Sequence, residues 1–469
     1  MMRDDLPPAS DNPALRADPL ADAAIARALG PVGDAGPDMA AIALLNGEIA
    51  RWRHNRDLDG WRASPGLPPH MAQALEDYVA AARVLPPWAD AGAIARAEDL
   101  FMDMSMASCT LLFCASLPQC YVMPDLAAVL HAAGQLERHT DYRVRSTAAM
   151  IFPVMLRGGL TDPDGGGVAQ ALKVRLIHAT IRHLILRGDA ADALVAPRRL
   201  PRIAPRGQGV HHTLYARGWD IDRRGLPCNQ QELAYTLLTF NYVFLKGMRD
   251  LGIPASGADE QAYLHAWNVL GHLLGIERGL MADTMDEARA LFDAIQASNA
   301  GRFGDHDGEQ PDPRPALAAD LVAALQHYIP LRLLKPFPVL LTRRLCGPAA
   351  SRALGLTQQV SLPARLAFAL AAGLVRTIDT VARLAIPDFS LSRLATRVLG
   401  YHLTTRLLMD QTRPLKLPDA LLNSVQETMH SWRTDPRAPR WIRTLEQRFT
   451  AGRSDAGATA SASEAAAKG

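Results

Sequence analysis

Three clusters of glycine and proline cut this chain into segments: RGGLTDPDGGG at 157–167, APRRLPRIAPRGQG at 196–209 and GRFGDHDGEQPDPRP at 301–315. Between them apolar residues recur mostly at helical rather than alternating intervals. Such punctuation permits helices and leaves no strand-rich region, so the sequence predicts an all-α fold. Its core is expected near residues 85–300, inside a domain spanning 36–315, with a helical C-terminal part over 316–435 packed on it. Residues 1–35, rich in Pro, Asp and Ala, and the low-complexity tail 451–469 are expected to be disordered.

With 48% apolar residues among 469, a large core is affordable. The 50 basic and 48 acidic residues leave a formal charge of +2, too weak a field for nucleic acid to be the main partner. Cys109, Cys114 and Cys120 share one apolar stretch, which suits buried thiols in a reducing compartment. The first twenty residues show neither a basic start with an apolar run nor a twin-arginine signal, so a cytoplasmic protein is expected.

Residues 104–124 carry no charge and are long enough to span a bilayer. Ser105, Ser108, Thr110, Ser116 and Gln119 interrupt them and Pro118 breaks a continuous span, so the expectation is a buried helix followed by a turn. The stretches 328–345 and 362–384 mix Arg and Lys with apolar faces. They read as packing helices, with peripheral membrane contact as the alternative.

The chemically informative region is DYRVRSTAAMIFPVM (141–155), a glycine-rich turn, and VAQALKVRLIHATIRHLILR (168–187), read as a hairpin of two helices. Val174, His178, Ile181 and Ile185 fall at i, i+4, i+7 and i+11, placing one imidazole in an aliphatic stripe. One reading is a core histidine bonded to a nearby carbonyl. The other is a ligand: at about 1.5 Å per residue, Thr147 before the turn and His178 after it reach similar heights and face each other across a planar group. Arg175 and Arg182 flank His178, and Arg143 lies one turn before Thr147, offering cations for the propionates of a porphyrin. A solvated helix face is the competing account of Arg175 and Arg182.

Arg143-x-x-x-Thr147 followed by KVRLIHATIRHLI resembles the latex clearing protein and rubber oxygenase family, which includes an oxygenase of mycophenolic acid biosynthesis. The likeness extends more loosely over most of residues 86–356. It implies a globin-like helical core with added N- and C-terminal helices, a b-type haem held by His178 as proximal ligand, and Arg143 and Thr147 as the distal pair. It also implies cleavage of an isoprenoid carbon–carbon double bond with dioxygen.

Two departures redirect the substrate. Ser146 stands where rubber-cleaving members carry a lysine, and no acid lies between Asp103 and Asp125 to serve as the distal base. A small isoprenoid or unsaturated lipid is therefore expected rather than the polymer. A haem-binding sensor or storage protein, and a metal-free lipid-binding protein, are the alternatives. His183 faces away from the stripe and reads as a packed residue, while His265 and His272 are candidates for the haem-pocket rim or for packing.

Overall fold

The computed structural model describes residues 12–385 apart from 34–35, 105, 135–149, 196–197, 254, 300–311, 328 and 330–331. Among the described residues the chain is all-α, as expected; strand is confined to a two-residue antiparallel pairing of Arg199–Leu200 with Trp219–Asp220.

Helix α1 (Pro19–Leu29) begins the ordered body. Asp18 caps it through the amide of Ala21, Pro19 supplies a helix-ready φ, and Gly30 ends it at φ 68°. It packs against α3 (Pro69–Ala82), which follows α2 (Met39–Ile49), and against the later helix Gly167–Leu186. The expectation of disorder over residues 1–35 is thus corrected for residues 12–33, whose Ala21, Ile25 and Ala28 are fully buried. Residues 386–469, including the expected disordered tail, lie outside the described residues.

The uncharged stretch after α4 (Ala91–Met104) forms α5 (Met106–Leu111), a π-helical turn at Leu112–Ser116 and α6 (Leu117–Val122), nearly all of it buried. The helix does not turn away at Pro118. Proline lacks the N–H that would reach the carbonyl of Cys114 four residues back, and the thiol of Cys346 donates to the carbonyls of Cys114 and Ala115 at 3.7 and 3.6 Å. A distant cysteine thus satisfies a helix that the proline widens. No single described helix is long and apolar enough to cross a membrane.

Helix α7 (Pro124–Gly134) follows, and residues 150–155 form α8. Then come α9 (Gly167–Leu186), α10 (Ala190–Val195), α11 (Val210–Ala216), α12 (Ile221–Arg224), α13 (Gln230–Phe240), α14 (Tyr242–Leu251) and α15 (Gly257–Leu273). The chain continues through α16 (Met285–Asn299), α17 (Pro313–His327), α18 (Phe337–Ala353) and α19 (Leu362–Ala385). An aromatic ladder ties the centre: Phe101 of α4 stacks near Phe244 of α14, Phe244 on Tyr263 of α15 at 4.7 Å, and Trp267 of α15 on Phe240 of α13 at 5.5 Å. Each such fully buried ring is worth about 1.5–3 kcal/mol by area removed from water. Leucines of α17 and Val339 and Leu345 of α18 belong to the same apolar cluster, so these two helices are continuous with the core.

Candidate functional site

Helix α9 carries the site, and its start is built by tight backbone packing. A Cβ on Gly159 would lie 2.3 Å from the carbonyl oxygen of Pro153, and one on Gly167 would lie 2.7 Å from that of Gly159. Only glycine fits there. The price of that turn is a helix whose N-cap, Gly166, has no side chain to offer. Asn55 supplies it from 113 residues away: its Oδ1 accepts from the amides of Val168 and Ala169 at 3.0 and 3.3 Å, and its Nδ2 donates to the carbonyls of Gly159 and Asp162.

The stripe on α9 keeps its expected composition. Val174, His178 and Ile181 are half-buried and Ile185 is buried. Nδ1 of His178 is sealed from solvent and has no hydrogen-bond partner among the described residues. Burial, with a smaller contribution from the Arg182 charge, pushes the imidazole down to about 4, so it is neutral across the physiological range and keeps a lone pair for a ligand. A buried nitrogen without a partner costs about 1–3 kcal/mol; a ligand at Nδ1 itself would offset that cost, whereas one at Nε2 would leave Nδ1 to find an acceptor.

Arg175 and Arg182 do not wait for a ligand. Nε and Nη2 of Arg175 donate to the Asp18 carboxylate at 2.5 and 2.7 Å. Nε of Arg182 donates to Asp22 at 2.9 Å, while its Nη1 donates to the carbonyls of Pro227 and Cys228 at 3.1 and 2.7 Å. The two arginines are 9% and 1% exposed. Asp18 at the N-cap of α1 and Asp22 within it thus pair with these guanidinium groups and compete with the expected propionate role, while Nη2 of Arg182 is buried without a hydrogen-bond partner among the described residues. Arg143, Ser146 and Thr147, with the rest of residues 141–149 of the expected hairpin, lie outside the described residues.

His183, His265 and His272 each meet described neighbours, although Nε2 of His183 is buried without a hydrogen-bond partner among the described residues. His183 is buried beside the Gly30 carbonyl at the end of α1. Nε2 of His265 accepts from the amide of Asp90 at 2.9 Å, and both His265 and His272 meet the Trp88 ring edge-on. Packing, not a pocket rim, is what this structure gives the latter pair. A cavity of about 160 Å³ opens along α9 between Leu45, Ile49, Ile177, Thr180, Leu214 and Ile181, the last a member of the His178 stripe.

Comparison with known proteins now bears on this arrangement. Residues 100–377 match the family model described as ER-bound oxygenase mpaB/B'/Rubber oxygenase, catalytic domain. The chain belongs to this family. A curated relative, the rubber oxygenase of Streptomyces sp. (strain K30), is 23% identical over 265 residues, 55% of each chain; the chain thus matches about half the length of that relative. The structure of latex clearing protein LCP in the closed state superposes with a TM-score of 0.57 at 20% identity, covering 90% of this chain and 91% of that one, a likeness of fold.

The span matched to the family's catalytic domain contains α9 and His178 but begins after Asp18 and Asp22, so the carboxylates that hold α9 come from outside it. Two buried acids inside or beside that span escaped the sequence reading. Glu98, 1% exposed, receives the amide of Gly158 at 2.8 Å, and burial lifts it to about 7. Glu232, 4% exposed, receives the amides of Asn229 and Cys228, yet its Oε2 has no hydrogen-bond partner among the described residues. Burial, then the nearby Asp125 charge, lift it to about 8. Their only sequence signals were an acid after a turn and the Asn-x-x-Glu spacing of a helix start.

Proposed function

We propose that this chain is an oxygenase that cleaves a carbon–carbon double bond of an isoprenoid or related unsaturated lipid with dioxygen, and that it holds haem b through His178. The observation that carries the cofactor reading is the imidazole itself: neutral, set in an aliphatic stripe, with a sealed nitrogen that no described group satisfies. Membership of the oxygenase family supports the reaction class.

When bound, the haem would supply activation of dioxygen, chemistry that no amino-acid side chain provides. The chain's own part is narrower. Val174, Ile181 and Ile185 keep water from the face that carries His178. The Arg175–Asp18 and Arg182–Asp22 pairs lock the helix above and below the imidazole, and Asn55 locks its start. By the family likeness Arg143 and Thr147 provide polar control on the opposite side. Splitting the alkene consumes one dioxygen and leaves two carbonyl groups, so no further reductant is needed.

The substrate is proposed to be a small molecule rather than a polymer, because Ser146 replaces the family's distal lysine and the stretch 104–124 has no acid. The purified protein is expected to show a Soret band and to convert short isoprenoids to carbonyl products with matching dioxygen uptake. Absence of the Soret band after expression with haem precursor would overturn the cofactor reading. Cleavage of polyisoprene but of no short isoprenoid would overturn the substrate reading.

A further inference from the structure

Helix α19 is held to the body by one side. Ala364 is buried, and the Phe368 ring meets Phe337 of α18 edge-on at 5.3 Å. Leu362, Leu366 and Leu370 follow at four-residue steps on another side and are 74%, 61% and 63% exposed. Nothing among the described residues covers this row, and three large side chains in line are a patch rather than scattered surface leucines.

The surroundings of the row are one-signed. Residues 332–385 contain eight basic residues and one acid, Asp379. Arg332, Lys335, Arg344, Arg352 and Arg365 are all exposed, and none forms an ion pair among the described residues. Several exposed arginines elsewhere are answered, Arg27 by Asp77, Arg96 by Asp259 and Arg249 by Glu260. Arg343 is tied to the carbonyls of Leu356 and Gln358, and its pKa is lowered by burial and then by the like charge of Arg365. The fold therefore gathers positive charge beside the leucine row instead of neutralising it.

We propose that α19 docks on an anionic lipid surface, with Leu362, Leu366 and Leu370 entering the headgroup boundary and Arg365, with the arginines of α18, meeting lipid phosphates. A second copy of the chain fits less well, because a two-fold contact through this face would bring the same positive charges together. The inference is independent of the haem reading, since its test reads lipid binding and not turnover.

The test is sedimentation of the full chain with vesicles of phosphatidylglycerol mixed with phosphatidylcholine, against phosphatidylcholine alone. Binding is expected to the anionic vesicles only and to weaken with added salt. Leu366→Ser with Leu370→Ser should reduce partitioning about tenfold or more, and Arg365→Gln about fivefold, with Arg365→Lys restoring it. These positions are exposed, so circular dichroism melting should be unchanged in every variant. Equal binding to both vesicle types, no binding to either, or indifference to the leucine substitutions would overturn the proposal. So would a concentration-dependent dimer, seen by light scattering without lipid and abolished by the same substitutions.

Discussion

Arg175 of α9 grips Asp18, 157 residues earlier in the chain, through two hydrogen bonds of 2.5 and 2.7 Å. One turn further along α1 and two along α9, Arg182 repeats the contact with Asp22. The helix that carries His178 is thus clamped from the N-terminal helix at two levels.

Breaking one clamp should cost stability rather than cofactor specificity. Asp18→Ala leaves the Arg175 guanidinium buried without its carboxylate, a situation that costs about 3–5 kcal/mol. Thermal denaturation followed by circular dichroism should show a clear fall in Tm. An unchanged Tm would mean that Arg175 is free to serve a ligand after all.

His178→Ala should leave far-UV circular dichroism near wild type, because the ring is half-buried and hydrogen-bonds no described neighbour through Nδ1. Haem content, read from the Soret band after purification, should fall by more than about tenfold. Retention of the wild-type spectrum in this variant would remove His178 as the ligand.

Glu232 gives the molecule a pH signature. Its carboxyl is held at about 8, above its ordinary 4.5, by burial and by Asp125, so between those values the folded state keeps a proton that the unfolded chain releases. Stability from this group is therefore full below pH 4.5 and declines as pH rises to about 8. Glu232→Gln keeps an oxygen to accept the amides of Cys228 and Asn229 without the charge. The variant should flatten that decline and raise Tm most at pH 8 and above, measured by scanning calorimetry across the range.

Asn55→Ala removes the cap that Gly166 cannot provide and strands the carbonyls of Gly159 and Asp162. A loss of about 1–2 kcal/mol is expected from the cap alone. Hydrogen exchange at the amides of Val168 and Ala169 should accelerate, while exchange near the C-terminal end of α9 changes little.

Much of this was legible in one dimension. The spacing of Val174, His178, Ile181 and Ile185 shows one face of a helix because 3.6 residues make a turn, and the Gly- and Pro-rich breaks mark where helices stop. The segment KVRLIHATIRHLI carried the family likeness. Glu232 and Glu98 were not legible, because burial and the charge of neighbours such as Asp125, not residue type, move a carboxyl out of its ordinary range.

The sequence by itself determined that the chain is helical and that a neutral-capable imidazole sits among aliphatic side chains. Only the tertiary structure decided what the arginines beside it do. Asp18 and Asp22 lie in the Pro-, Asp- and Ala-rich start read as disordered, and Arg175 and Arg182 read as cations for a ligand or as a solvated helix face. Periodicity says which face of a helix is apolar, but a partner 157 residues away is chosen by packing. Once α1 lies against α9, burial makes each charge require the other.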